Sequence, residues 1–400
     1  MMPLKNLLYL LQLEEYDLKR FNDWLQRYPN RIVLEKKSHL NWTPKARTIF
    51  ILAKIFNIRT AVFILSPIDL LFKKILVYKA RAKRKKMADL TVIGITGSFG
   101  KTTVKDEMSH VLMSKYQVLK TEGNYNTLLG ITKTIMQNLK PEHEIFVCEM
   151  AAYQPGDIKA IAGIIKPKIG IVTAIGPMHL ERFGSMENIL KTKMELIESL
   201  PSGGIGFLPK ELESQIFNYF HNSNYGSKNT IEFFSSKEDL MIKVGEIFGL
   251  TPDEILGRLK TMPPTPHRQE IIKTSGNITI IDDTYNSNPA GFMMALETLE
   301  NIKAGRKILV TPGMVELGEK QFELNKDAAK AAAKIADYVI IVGETNKKAL
   351  EEGLKEELKN DFEKKVLWAP DLDSAKSRLS EITIPNSVVL LENDLPDHYF

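Results

Sequence analysis

The stretch that decides the fold is LTVIGITGSFGKTT, residues 90 to 103. Six apolar or β-branched residues lead into Thr96-Gly97, a glycine-bearing loop runs to Lys101-Thr102-Thr103, and a periodic segment continues through Met113. Strand, loop and helix in that order form a phosphate loop. Gly97 and Gly100 let backbone N–H groups approach phosphate oxygens, Lys101 supplies a point charge, and the Thr102 hydroxyl can reach Mg²⁺. Thr96, Ser98 and Thr103 complete the loop's polar lining. The position six before Lys101 is Ile95 rather than the glycine of the strict pattern. A nucleoside triphosphate, ATP first, is the expected ligand.

Two more apolar runs follow at βα spacing. EIFVCEM (144–150) puts Glu149 at the end of a buried strand, and KIGIVTAIG (168–176) leads to Met178-His179. Open α/β sheets present ligand groups at the carboxyl ends of their strands. Lys101, Glu149 and His179 are therefore expected at one edge, with Glu149 and His179 as candidate metal ligands. The next helix carries Lys191 and Lys193, which composition alone leaves as solvated charges. Further on, ITIIDDTYNSNPAGFMMALETL (278–299), RKILVTPGMVELGEKQ (306–321) and DYVIIVGETN (337–346) repeat strand, loop and helix. The fold class is therefore α/β: a phosphate-loop domain with a mostly parallel sheet and a smaller, Rossmann-like C-terminal domain. The boundaries fall at 1–87, 88–262 and 263–400.

The 400 residues carry a formal charge of +5, which averages two unlike parts. Residues 1 to 87 hold 19 Lys/Arg against six Asp/Glu, a net of +13, leaving −8 for the other 313. The segment reads as helical: one amphipathic helix over 4–27, a second starting at Thr43-Pro44, and a third starting at Ser66-Pro67, followed by a basic run to Lys86. Apolar helix faces beside clustered cations predict adsorption to an anionic membrane surface. A small helical domain with a solvated basic linker is the plainer alternative. Nucleic acid is not expected, because no reading motif is present. The single Cys148 excludes an internal disulfide, and neither a signal peptide nor a long uninterrupted apolar run is seen. The body is expected in the cytoplasm, attached through residues 1–87 to the inner face of the cell membrane.

TGSFGKTT, EGNYNTLLG (122–130), CEMAAYQPGDI (148–158) and HLERFGSMENILKTKMEL (179–196) together resemble the central domain of the Mur ligase family. DDTYNSNP and GMVELGE resemble its C-terminal domain, on the branch that adds D-alanyl-D-alanine to a muramoyl peptide. The resemblance implies that Lys101 and Thr102 bind ATP phosphates and Mg²⁺, and that Glu149 and His179 sit at the metal. It marks Lys193 as the lysine carbamylated by CO₂ in relatives, with Thr192 in place of the usual small residue before it. Arg268 would reach the ATP phosphates and Asp283 the ribose, while Tyr285, Asn286 and Asn288 line the nucleotide and acceptor cleft. The implied activity is amide ligation between a muramoyl-peptide carboxylate and a D-alanyl-D-alanine-like amine, through an acyl phosphate, with Lys101, His179, Lys193 and Arg268 as the catalytic set. Rival readings are a ligase of the folylpolyglutamate or cyanophycin type, and a membrane-tethered ATP-binding module without ligation. The resemblance leaves out residues 1–87, where the family's nucleotide-sugar domain is replaced by the basic helical segment, and residues 205–262 are shorter than the usual insert.

Overall fold

The computed structural model describes residues 2–35, 38–123, 125–222, 229–263, 267–274, 276–285, 287–395 and 397–399, with the side chains of 221 and 222 excepted. Four helices come first: α1 (Leu4–Leu13), α2 (Leu18–Arg27), α3 (Pro44–Ile55) and α4 (Ile58–Lys85). The single helix expected over 4–27 is two. Asp17 accepts hydrogen bonds from the Lys19 and Arg20 amides, which starts α2 afresh, and Glu15 and Tyr16 turn the chain with φ of 55° and 64°. Apolar periodicity survives this break because both helices bury residues in one core, where Leu8, Leu11, Phe21 and Trp24 meet Ile49 and Ala61.

Thr43 caps α3 and Pro44 occupies its first turn, as the sequence predicts. The predicted start at Ser66-Pro67 is not a start. Asn57 already caps α4 by accepting from the Thr60 amide, and the helix runs through Pro67. Ser66 turns its hydroxyl back onto the Val62 carbonyl at 2.8 Å. An established helix can carry an interior proline with the loss of one backbone hydrogen bond and some strain, so the proline alone does not end it.

The far end of α4 enters the next core, where Val77, Ala80 and Met87 pack with Phe146, Ile161 and Ile165. Arg84 is buried and donates to the carbonyls of Ile165 and Met87, both at 2.9 Å, and Leu90 at 3.3 Å. Lys83 donates to the Met136 carbonyl at 3.0 Å. The basic run is thus partly structural, since these two side chains satisfy loop and helix-end carbonyls that would otherwise be orphaned.

The first sheet has the order β2-β3-β1-β4-β5-β6. Its strands are β1 (Thr91–Thr96), β2 (Val118–Lys120), β3 (Ile145–Glu149), β4 (Ile169–Val172), β5 (Ile205–Pro209) and β6 (Thr230–Phe234). Every pairing in it is parallel. Continuous apolar runs form these strands because helices cover both faces. Those that position the site are α5 (Lys101–Leu112), α6 (Leu128–Asn138), α7 (Asp157–Ile165), α8 (Leu180–Phe183) and α9 (Met186–Glu198).

The second sheet has the order β11-β10-β9-β12-β8-β7, from β7 (Glu270–Lys273), β8 (Thr279–Asp283), β9 (Arg306–Thr311), β10 (Tyr338–Val342), β11 (Val366–Ala369) and β12 (Ser387–Glu392). Only β7 runs antiparallel, at the edge beside β8. The register aligns Glu392 with Asp283 at the carboxyl ends of β12 and β8, so this edge carries acids toward the first sheet's loop edge.

Candidate active site

A cleft of about 600 Å³ opens where the two sheets and the N-terminal helices meet, and all three contribute to its wall. Its floor is the loop after β1. Gly97 takes φ 148°, and a Cβ there would lie 2.1 Å from the Thr173 hydroxyl, so no larger residue fits. Ser98 fastens the loop to the end of β4, donating to the Gly176 carbonyl at 2.9 Å and accepting from its amide at 3.0 Å. Thr96 Oγ1 is spent on the Met150 carbonyl at 3.0 Å. Thr96, Gly97 and Thr103 stand behind the cleft wall, while Ser98, Gly100, Lys101 and Thr102 form it.

Lys101 Nζ folds back over the loop and donates to the carbonyls of Gly97 at 2.8 Å and Ser98 at 3.0 Å. Burial brings its pKa down to about 8, against the attraction of Glu149 and with the repulsion of Arg268. Glu149 Oε1 accepts from Thr102 Oγ1 at 3.2 Å and from Asn126 Nδ2 at 2.9 Å. Its other oxygen accepts no hydrogen bond although it is buried, with Lys105 Nζ 3.4 Å away. A buried carboxylate oxygen with vacant lone pairs beside a hydroxyl and a phosphate loop is a donor set suited to a hard divalent cation. Sequence reasoning missed Asn126 and Lys105. EGNYNTLLG marks the segment of Asn126, whereas Lys105 lies one helical turn after Lys101 and looks like any surface lysine.

Arg268, from the loop before β7, donates through Nη2 to Thr102 Oγ1 at 3.3 Å, and its guanidinium lies 4.3 Å from the centre of the Tyr285 ring. The C-terminal half thereby touches the phosphate loop directly. Tyr285 and Asn288 line the cleft, and Asn288 also caps the helix Pro289–Asn301. Asn286 lies outside the described residues. Asp283 stands at the end of β8 behind the lining, and burial raises its pKa despite hydrogen bonds from Gln269 and the charge of Arg268.

His179 reaches the cleft from the N-terminus of α8. Its Nδ1 hydrogen-bonds Glu316, and Arg182 Nη2 donates to the same carboxylate at 3.0 Å. Burial opposes ionisation of Glu316, yet these two partners prevail and hold its pKa at about 2. Glu316 belongs to the GMVELGE stretch, and its pairing with α8 is a second bond between the two halves that sequence spacing could not reveal.

Lys191 and Lys193 separate cleanly. Lys191 is exposed and pairs with Glu187 at 2.6 Å, while Lys193 is buried, its Nζ 5.7 Å from the Phe183 ring centre. Burial, with repulsion from Lys101, brings the Lys193 pKa down to about 7. The structure does not place Lys193 on the cleft wall. Glu149 and His179 both line the cleft; among the described residues the grouping of three His, Cys, Asp or Glu side chains within 4.8 Å is His267, Glu270 and Asp282.

Most of the residues that line this cleft fall in two matched domain families, the Mur ligase middle domain over residues 95–249 and the Mur ligase glutamate ligase domain over residues 267–392. The chain belongs to the Mur ligase family. Its sequence is 33% identical over 270 residues to the UDP-N-acetylmuramoyl-tripeptide--D-alanyl-D-alanine ligase of Bacillus subtilis (strain 168), covering 59% of each chain. The same-named ligase of Escherichia coli (strain K12) is 26% identical over 332 residues, covering 71% of this chain and 73% of that one. The crystal structure of the MurF ligase from Thermotoga maritima in complex with ADP superposes with a TM-score of 0.69 at 26% identity, covering 80% of both chains. The chain spans about three fifths of the length of the first curated Mur ligases it matches.

Both family matches lie C-terminal to residue 94, so the N-terminal wall of this Mur ligase cleft comes from outside them. That wall is Leu13, Glu15 and Arg20. It is held by the chain's other end: Trp24 Nε1 donates to the His398 carbonyl at 2.9 Å, Tyr9 to Asp397 at 2.5 Å, and His398 Nε2 lies 3.5 Å from Glu14. Arg182 lies 3.7 Å from Glu15, which ties the same wall to α8.

Proposed function

We propose that the chain is an ATP-dependent carbon–nitrogen ligase of peptidoglycan precursor synthesis, joining D-alanyl-D-alanine or a similar amine to a muramoyl-peptide carboxylate. The observation that carries the reading is Arg268 of one half meeting Thr102 of the phosphate loop in the other. A nucleotide on the loop would then be enclosed from both sides. Ligation needs this enclosure, because the reactive acyl intermediate must meet the amine before water.

In the reaction, a carboxylate oxygen attacks the γ-phosphorus of ATP. A P–O bond forms to the carboxylate, the bond to the β-phosphate oxygen breaks, and ADP leaves. The neutral amine then attacks the acyl carbon, inorganic phosphate departs, and the amine proton passes to solvent. Lys101 and Arg268 gather around the phosphate that carries the developing charge, and positioning with electrostatics provides most of the acceleration. Thr102 and Glu149, with His179, would hold Mg²⁺, which supplies further neutralisation. His179 is oriented for this by Glu316 on its other ring nitrogen. Lys193, whose pKa burial lowers to about 7, is about half neutral near pH 7, and the neutral form has the lone pair needed to add to CO₂. Carbamylation, with release of a proton, would replace a cation by an anion beside Lys101.

The same reading places the protein in the cytoplasm, with residues 1–87 against the inner face of the cell membrane and no nucleic-acid partner. The test is phosphate release from ATP with UDP-muramoyl tripeptide and D-alanyl-D-alanine. Release that requires both, with formation of the pentapeptide, is expected. No release with any muramoyl peptide refutes the assignment, and release with a folate and glutamate instead would move the chain to the other branch.

A further inference from the structure

The N-terminal helices bury one side of α3 and α4 and leave the other bare. Ala46, Ile49, Ile58, Ala61 and Val62 face inward. Outward, Phe63 is 74% exposed, Leu71 59% and Ile68 52%, with Ile64 and Ile75 above 40%. At about 100° per residue these five fall within an arc of roughly 140°, which makes one continuous stripe along α4. Lys74 and Lys79 stand at its two margins, both exposed. Between Glu35 and Asp89 the sole acid is Asp69, and it is neutralised by Lys45 at 2.8 Å and Lys73 at 3.0 Å.

We propose that this stripe lies in the plane of an anionic leaflet, with its apolar side chains among the upper acyl segments and the lysines at its margins on lipid phosphates. The proposal rests on the reading that residues 1–87 meet a membrane and names the element and orientation. Three observations select a lipid surface over another occupant. No helix among the described residues is long and apolar enough to cross a membrane, so α4 would meet a bilayer at its surface rather than span it. Exposed Lys74 and Lys79 flank the stripe as a lipid boundary favours, where a lysine stem stays in the apolar layer while the ammonium reaches the headgroups. Finally, the stripe is fixed to the catalytic body. α4 continues without a break into the packing of Ala80 and the carbonyls held by Arg84, so contact at the stripe also orients the cleft.

The experiment uses the full chain and extruded vesicles of phosphatidylglycerol with phosphatidylethanolamine, compared with pure phosphatidylcholine, in a sedimentation assay at low and high salt. Binding to the anionic vesicles is expected, weakened by salt. F63E combined with L71E should reduce it at least a hundredfold, and K74Q and K79Q about fivefold each. Helix content by circular dichroism and ATP-dependent phosphate release with soluble substrates should be unchanged in these variants. In F63W, tryptophan fluorescence should be quenched by lipids brominated along the acyl chain. If the full chain ignores anionic vesicles, both the proposal and the membrane reading fall. If it binds and F63E/L71E binds as well, the membrane reading stands and the stripe does not. If the chain dimerises without vesicles and F63E/L71E makes it monomeric, a second copy is the occupant and the proposal is overturned.

Discussion

Replacing Glu316 by glutamine tests whether the two halves of the cleft are latched by charge. The substitution keeps size and shape but removes the anion that His179 and Arg182 share. The Glu316 pKa is held at about 2 against an ordinary value of 4.5, even though burial works the other way. At about 1.4 kcal/mol per pH unit this corresponds to roughly 3 kcal/mol favouring the closed pairing of the ionised side chain. The sign follows from the depressed pKa: the contribution is complete above pH 4.5 and fades as pH falls toward 2. The Glu316 carbonyl also accepts from the Glu181 amide at 3.4 Å, so the local opening reports on both segments. Hydrogen exchange at pH 7 should show α8 and the loop over 313–318 losing about a hundredfold of protection in E316Q, with the two sheets unaffected. R182M should lose part of the same protection, and the double variant should lose less than the two single losses combined. Unchanged exchange in E316Q, or strictly additive losses, would show that the pairing is incidental.

Three other outcomes follow from the same geometry. K101M should lower ATP-dependent phosphate release at least about a hundredfold, measured with saturating substrates, while leaving the fold intact by circular dichroism. K193M should raise the melting temperature of the unliganded chain while removing ligation, because it relieves a buried ammonium; since the unfolded lysine binds its proton more tightly, stability of the unmodified chain should rise between about pH 7 and pH 10.5, and less so in K193M. R84L should leave the carbonyls of Ile165, Met87 and Leu90 without their donor and cost about 3 kcal/mol, seen as faster limited proteolysis around residues 86–90.

The parts of the site that strands deliver are legible in the amino-acid sequence alone. Lys101, Glu149 and His179 each follow an apolar run, and a parallel sheet brings the ends of such runs to one edge. What stays hidden there depends on partners distant in the chain or on the direction a side chain takes. Glu316 and His179 are 137 residues apart, and nothing in either stretch names the other. Lys191 and Lys193 sit in one helix two residues apart, so their directions differ by about 200°, enough to put one in solvent and the other in the core. Arg84 lies in a run of five basic residues within six positions, where composition predicts solvation; its burial answers to three carbonyls that only the folded chain assembles. The helix break at Glu14–Asp17 is masked because the apolar pattern serves one core on both sides of the turn.

The unbroken course of α4 fixes an angle as well as a distance. Its near half carries the layer that supplies Leu13, Glu15 and Arg20 to the cleft, and its far half is seated in the catalytic body. Inserting one residue between Leu76 and Ala80 would rotate everything before it by about 100° about the helix axis and advance it by about 1.5 Å. The bare stripe would turn toward a different direction, and Trp24 and Tyr9 would lose their seats on the residues at 397 and 398. A seven-residue insertion nearly restores the angle, to within about 20°, but moves the layer by about 10 Å. The helix therefore admits changes of sequence far more readily than changes of count, and its register is a shared requirement of the cleft wall and of the face the molecule turns outward.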